Sequence, residues 1–137
     1  MIYNIIPFEG SEQIKLGMTT DEIKAIKGVD PERFNKACIE EPVDLYDDLL
    51  VYYDGSKTCY QIDFTLPAQV YLNGFLITGK PMQDVLKHFS TLDDDLRFDI
   101  INGFVSLKYE IGIYAENMNV AVESVSVAQK GIFAAYA

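Results

Sequence analysis

The chain has 137 residues, 49% of them hydrophobic, and its 21 acidic against 11 basic side chains leave a net charge of −10. At that length folding buries roughly 68–70% of the unfolded surface, so a core can form without disulfides, and nothing in the composition asks for a metal or cofactor. The acidity excludes nucleic acid, whose phosphates need a basic footprint, disfavours anionic membrane surfaces and favours a basic protein partner.

Residues Met1 to Gly10 lack a basic stretch and contain Pro7 and Glu9, which is not the pattern of a signal peptide. The first helix signal follows at Leu16-Gly17-Met18-Thr19-Thr20-Asp21-Glu22-Ile23. Thr19 and Glu22 form a T-x-x-E capping box, with Met18 and Ile23 at the hydrophobic-staple positions. Gly28 suits the left-handed position that ends a helix. Ile23 and Ile26 are expected to face inward, Lys24 and Lys27 outward. Asp30-Pro31-Glu32-Arg33 then predicts a second helix, with Asp30 as N-cap and Pro31 in the first turn. Phe34, Ala37 and Cys38 would be its buried face, and Glu40, Glu41 and Pro42 its end.

Period-two alternation predicts strands over 49–54, closed by Asp54-Gly55, over 58–64, and over 69–72, closed by Asn73-Gly74. Thr58, Tyr60, Ile62 and Phe64 would share one face, and Cys59, Gln61 and Asp63 the other. A helix is predicted from Pro81 to Phe89, with a short helical turn from Thr91 to Phe98. Further strands are expected over 104–109, 111–115, 120–127 and 132–135. In the first of these Val105, Leu107 and Tyr109 should face the core and Ser106 and Lys108 solvent; Glu123-Ser124 suggests a bulge. No apolar run approaches the roughly 18 residues of a membrane-spanning helix. Cys38 and Cys59 have no CxxC spacing and read as free thiols in a reducing compartment. A cytoplasmic protein is the expectation.

The strongest organisational signal is that this pattern occurs twice. Gly17 and Gly79 are 62 apart (79 − 17), as are Ile23 and Val85, and Val51-Tyr52 and Ile113-Tyr114. Gln61-Ile62-Asp63-Phe64 matches Ser124-Val125-Ser126-Val127 at 63, a one-residue slip of the kind a longer turn produces. Short turns favour antiparallel hairpins. The expected fold is therefore one α+β domain over 1–137. It has two tandem repeats, about 14–73 and 76–135, each a helix–loop–helix unit with antiparallel strands. The two share one sheet, with the helices on one face.

Signals for catalysis are sparse. His88 is the sole histidine, which leaves a serine or cysteine nucleophile without an evident base. No glycine-rich phosphate loop is present. Asp93-Asp94-Asp95 with Asp99 lacks the central glycine and closing glutamate of a calcium loop, and adjacent carboxylates splay apart. Glu40, Glu41, Asp44, Asp47 and Asp48 form a second acidic stretch. Together with Tyr46 and Tyr52 as anchors, these acids are expected to make one negative rim that captures a basic partner.

The Leu16–Ile23 segment with Gly28 resembles the G-M-T-x-x-E-V helix start of SmpA/BamE-type lipoprotein modules. The doubled helix-plus-strands unit resembles the β-lactamase inhibitor protein architecture. The resemblance implies a non-enzymatic fold that grips another protein with its sheet and loops. In size and charge the chain also resembles bacterial immunity proteins, which neutralise cognate toxins. The expected function is thus a protein-binding module of the immunity-inhibitor type. The alternatives are a small enzyme or ligand-binding domain with an acidic pocket, or a structural or homodimerising module.

Overall fold

Thr19 opens the first helix, α1 (Thr20–Lys27), through a complete capping box: its hydroxyl accepts from the N–H of Glu22, and the Glu22 carboxylate accepts from the N–H of Thr19. Gly28 closes it at φ 72° and donates its N–H to the Lys24 carbonyl. The structure, a computed structural model, describes residues 1–99 and 102–136, with Asp99 and Tyr136 placed by backbone alone. Before α1 come β1 (Ile2–Ile6) and β2 (Gly10–Ser11); after it come β3 (Glu32–Phe34), β4 (Val43–Leu45), β5 (Leu49–Tyr53) and β6 (Cys59–Thr65). The chain then runs through β7 (Gln69–Leu72), β8 (Phe75–Leu76), α2 (Met82–Ser90), β9 (Arg97–Asp99), β10 (Gly103–Ser106), β11 (Ile111–Tyr114), β12 (Ser124–Ala128) and a 3₁₀ turn at Ala134–Tyr136.

The fold is mostly β, which corrects the expected pair of helix–loop–helix units on one sheet. One antiparallel sheet has eight strands in the order β3-β4-β5-β6-β12-β11-β10-β9, and a separate four-stranded mixed sheet has the order β2-β1-β7-β8. Each half supplies one α-helix. The segment expected as the second helix is an edge strand and a loop. Arg33 stands opposite Asp44 across the β3–β4 ladder and clasps its carboxylate with two hydrogen bonds of 2.7 and 2.9 Å. Asp44 is buried, so a helix over 31–38 that carried Arg33 away would leave a dry carboxylate unpaired. The helical turn expected over 91–98 is likewise a turn leading into β9, and residues 132–135 enter the 3₁₀ turn instead of a strand.

Both sheets have a palindromic strand order, and matching hydrogen bonds tie the halves to one pattern. Gly17 donates to the Cys59 carbonyl (2.7 Å) as Gly79 does to Val122 (2.8 Å), and Thr65 donates to Asp48 (2.9 Å) as Ala128 does to Glu110 (3.1 Å). Hairpin β7–β8 precedes α2 as β1–β2 precedes α1. Asn73 and Gly74 both take positive φ, 49° and 82°, as the tight turn of β7–β8 requires. β1 and β7 pair in parallel, Tyr3 beside Val70, an arrangement that no local signal announces.

The helices, the small sheet and one face of the large sheet share a core. Ile23 of α1 and Val85 and Phe89 of α2 are fully buried with Val51, Ile62, Phe64, Val125, Val127, Ile111 and Phe104. Three faces are corrected. In α1 Ile26 is exposed and the Lys27 side chain is buried, the reverse of the expectation. In β10 it is Phe104 and Ser106 that turn to the core, and Val105 and Leu107 that line the opposite face. In β6 a register shift opposite Tyr52 and Tyr53 puts Cys59 on the core side with Ile62, and Tyr60 on the outer side. Among the described residues no helix is long and apolar enough to cross a membrane.

Candidate functional site

The outer face of the large sheet, opposite the helices, is a groove of about 400 Å³. Tyr52, Tyr60, Gln61, Val105 and Tyr114 rise from the strands; Lys36 and Ile39 reach in from the β3–β4 loop, Arg97 and Phe98 from β9, and Phe133 from the C-terminal turn. In a flat sheet β5 and β9 would stand about 24 Å apart, five spacings of ~4.8 Å, so the strands must curl to bring both to one groove. The lining is aromatic and aliphatic with three polar side chains, Lys36, Gln61 and Arg97.

The centre of the groove coincides with the junction of the two halves. Asp63 and Ser126 face each other across β6 and β12, and Tyr52 and Tyr114 occupy equivalent positions on either side. The Asp63 carboxylate accepts from the hydroxyl of Ser126, from Tyr52 (2.9 Å) and from the Gln61 amide (3.0 Å). Lys36 donates from its amine to the Tyr52 hydroxyl and lies over that ring. Burial and the neighbouring Asp63 carboxylate push the Tyr52 phenol well above its ordinary pKa, so it keeps its proton at neutral pH. Gly112 explains how Tyr114 lies flat: a Cβ there would come within 2.7 Å of the Tyr114 ring. A glycine inside an apolar strand was the sequence signal for this close approach.

Glu110 lies behind the groove and anchors the C-terminal turn. Its carboxylate accepts from the N–H of Gly131, which holds the turn that carries Phe133 into the groove. It is buried, its second oxygen has no partner among the described residues, and burial raises its pKa against the opposing pull of the N–H groups of residues 131–133. Asp48, the equivalent residue of the first half, is paired with Lys27 instead.

The expected acidic rim disperses. Asp44 is consumed by Arg33. Asp48 is buried and accepts from Lys27 (2.7 Å) and the Tyr3 hydroxyl (2.9 Å). Asp93 is buried and accepts from Ser106 (2.6 Å) and the N–H of Asp95; burial raises its pKa, but these hydrogen bonds outweigh burial and hold it below the usual carboxylate range. Tyr46 is a core residue near Lys27, not an exposed anchor. Glu41 is half-buried and pairs with Lys57, and exposed Asp95 pairs with Arg97. Glu40, Asp47 and Asp94 are exposed. The Asp99 side chain lies outside the described residues. β4 and the 93–95 turn before β9 belong to opposite ends of the strand order. Of the expected site residues, the structure places Tyr52 in the groove. Sequence reasoning missed Phe98, Phe133, Lys36 and Arg97.

Cys38 is exposed and Cys59 buried, both as free thiols, and burial pushes the Cys59 thiol up to about 12. His88 stacks on Phe75, with ring centroids 3.8 Å apart. Among the described residues no three His, Cys, Asp or Glu side chains are grouped to hold a metal. Comparison with protein-family models, with curated proteins and with solved structures finds no match.

Proposed function

We propose that this protein is a non-enzymatic protein-binding module, of the immunity-inhibitor type, that receives a segment of its partner in the aromatic groove. The observation that carries this reading is the groove itself: tyrosines and phenylalanines gathered on a sheet face, at the junction of two equivalent halves. Aromatic side chains bury large areas at little entropic cost, and such residues dominate interface energetics. Catalysis fits the groove poorly, because Asp63 is already held by three donors and Tyr52 keeps its proton. Asp63 is the carboxylate at the centre of the groove, bonded to three neighbours and ringed by aromatic side chains, which favours a docking surface over an acidic ligand pocket. The net charge of −10 steers a basic partner at long range, while the aromatic groove supplies the short-range grip.

The test is affinity capture from source cells with quantitative mass spectrometry, using wild type, Phe98→Ala and a control, Ile26→Ala, on the opposite side of the sheet. A partner bound by wild type and control but depleted at least tenfold by Phe98→Ala supports the groove. Equal capture by all three contradicts it.

A further inference from the structure

The two halves differ at one place that bears on the groove. In the second half β9 pairs with β10, Phe98 opposite Phe104 and Asp99 opposite Gly103, and the strands are three residues apart in sequence. In the first half the ladder ends at Phe34 opposite Val43, and residues 35–42 leave the sheet to bring Lys36 and Ile39 over the groove. Pro42, the last residue of this segment, has no N–H to give to a ladder. Cys38 takes φ 65°, which turns the chain back within the segment.

Little holds this segment down. Residues 35–38 are exposed, and Ile39 is only half-buried. The N–H of Ile39 donates to the Lys36 carbonyl (3.1 Å), a bond internal to the segment. Glu41 and Lys57 anchor its base. Among the described residues the polar tie from its middle to the sheet is Lys36, whose amine meets the Tyr52 hydroxyl and stands 4.8 Å from the ring centroid. No carboxylate of the described residues lies within ion-pair distance of that amine. A segment with few buried apolar contacts and one polar tie at its middle belongs to the easily opened end of a protein's stability range.

We propose that residues 35–42 are a strap, closed over the groove by Lys36 on Tyr52 in the free protein and lifted when the groove is occupied. A closed strap lowers apparent affinity by the fraction of molecules that are open, so loosening it raises affinity without a new contact. Lys36 is then a regulator of access, and Tyr52 serves as its latch as well as part of the groove floor.

The strap carries its own probe. Cys38 is exposed whereas Cys59 is buried, so a thiol-reactive nitroxide labels Cys38 alone. Electron paramagnetic resonance of the labelled free protein should show a slow component in wild type. In Lys36→Met, which keeps the aliphatic stem and loses the amine, the fast component should rise at least threefold, with circular dichroism and thermal midpoint unchanged. An unchanged spectrum in Lys36→Met, or a wild-type label already as mobile as in urea, overturns the strap. No partner is needed, so failure here leaves the docking role of the groove standing.

Discussion

Lys27→Met tests whether the acids of this protein build the fold or decorate its surface. The Lys27 and Asp48 side chains are only 8% and 3% exposed, 2.7 Å apart, and Tyr3 donates its hydroxyl to the other Asp48 oxygen. Methionine keeps the stem packed but strands a carboxylate in a dry site. Breaking a buried pair by removing one partner costs about 3–5 kcal/mol, whereas an exposed pair is worth about 0–1 kcal/mol. With a urea m-value of about 2 kcal/mol/M for a domain of this size, the midpoint should fall by roughly 2 M. Adding Asp48→Asn removes the stranded charge while keeping an acceptor for Tyr3, so the double variant should regain most of the loss. Urea unfolding followed by tyrosine fluorescence measures all three proteins. A Lys27→Met shift below about 0.5 M, or a double variant no better than the single, would refute the reasoning.

Thr19→Ala should cost about 1 kcal/mol in the same assay through loss of the cap bond to Glu22; no loss would mean the capping box contributes nothing. A chromogenic disulfide should titrate one thiol in the native protein and two in urea, because Cys59 is buried with its thiol at about 12; two native equivalents would contradict the core assignment. Glu110 has its pKa raised by burial, so its protonated form suits the native state, and the stability this gives is present below the ordinary glutamate range and lost as pH rises through the raised native value. Glu110→Gln should therefore gain on wild type as pH rises across that window, and a pH-independent difference would show that Glu110 does not titrate there. Gly112→Val should displace the Tyr114 ring and abolish capture of a groove-bound partner while β11 still forms, and unimpaired capture would remove Tyr114 from the site.

What the sequence reveals and what it conceals follow from the range of the interactions. The α1 capping box, the Asn73-Gly74 turn and the 62-residue offset are local or repetitive, and each can be read from a few neighbouring letters. Asp30-Pro31 is local too, but a helix start and a turn before an edge strand share that signal, and the pairing of Arg33 with Asp44 decides between them. Asp48 and Asp93 look like surface acids until Lys27, Tyr3 and Ser106 arrive from elsewhere in the chain. Val105 and Leu107 are apolar because the groove is apolar, so hydropathy assigns them to the wrong face of β10. Residue type alone cannot separate a core from a recognition surface built of the same side chains.

The central claim, that the partner docks in the groove, is tested most directly by site-specific photo-crosslinking in source cells. A photoreactive phenylalanine analogue would replace Phe98 in the groove or, separately, Asp94 on the exposed acidic turn or Ile26 on the opposite side of the sheet. The account predicts a discrete crosslinked product from position 98 and none from position 26. Crosslinking confined to position 94 or 26 would contradict it.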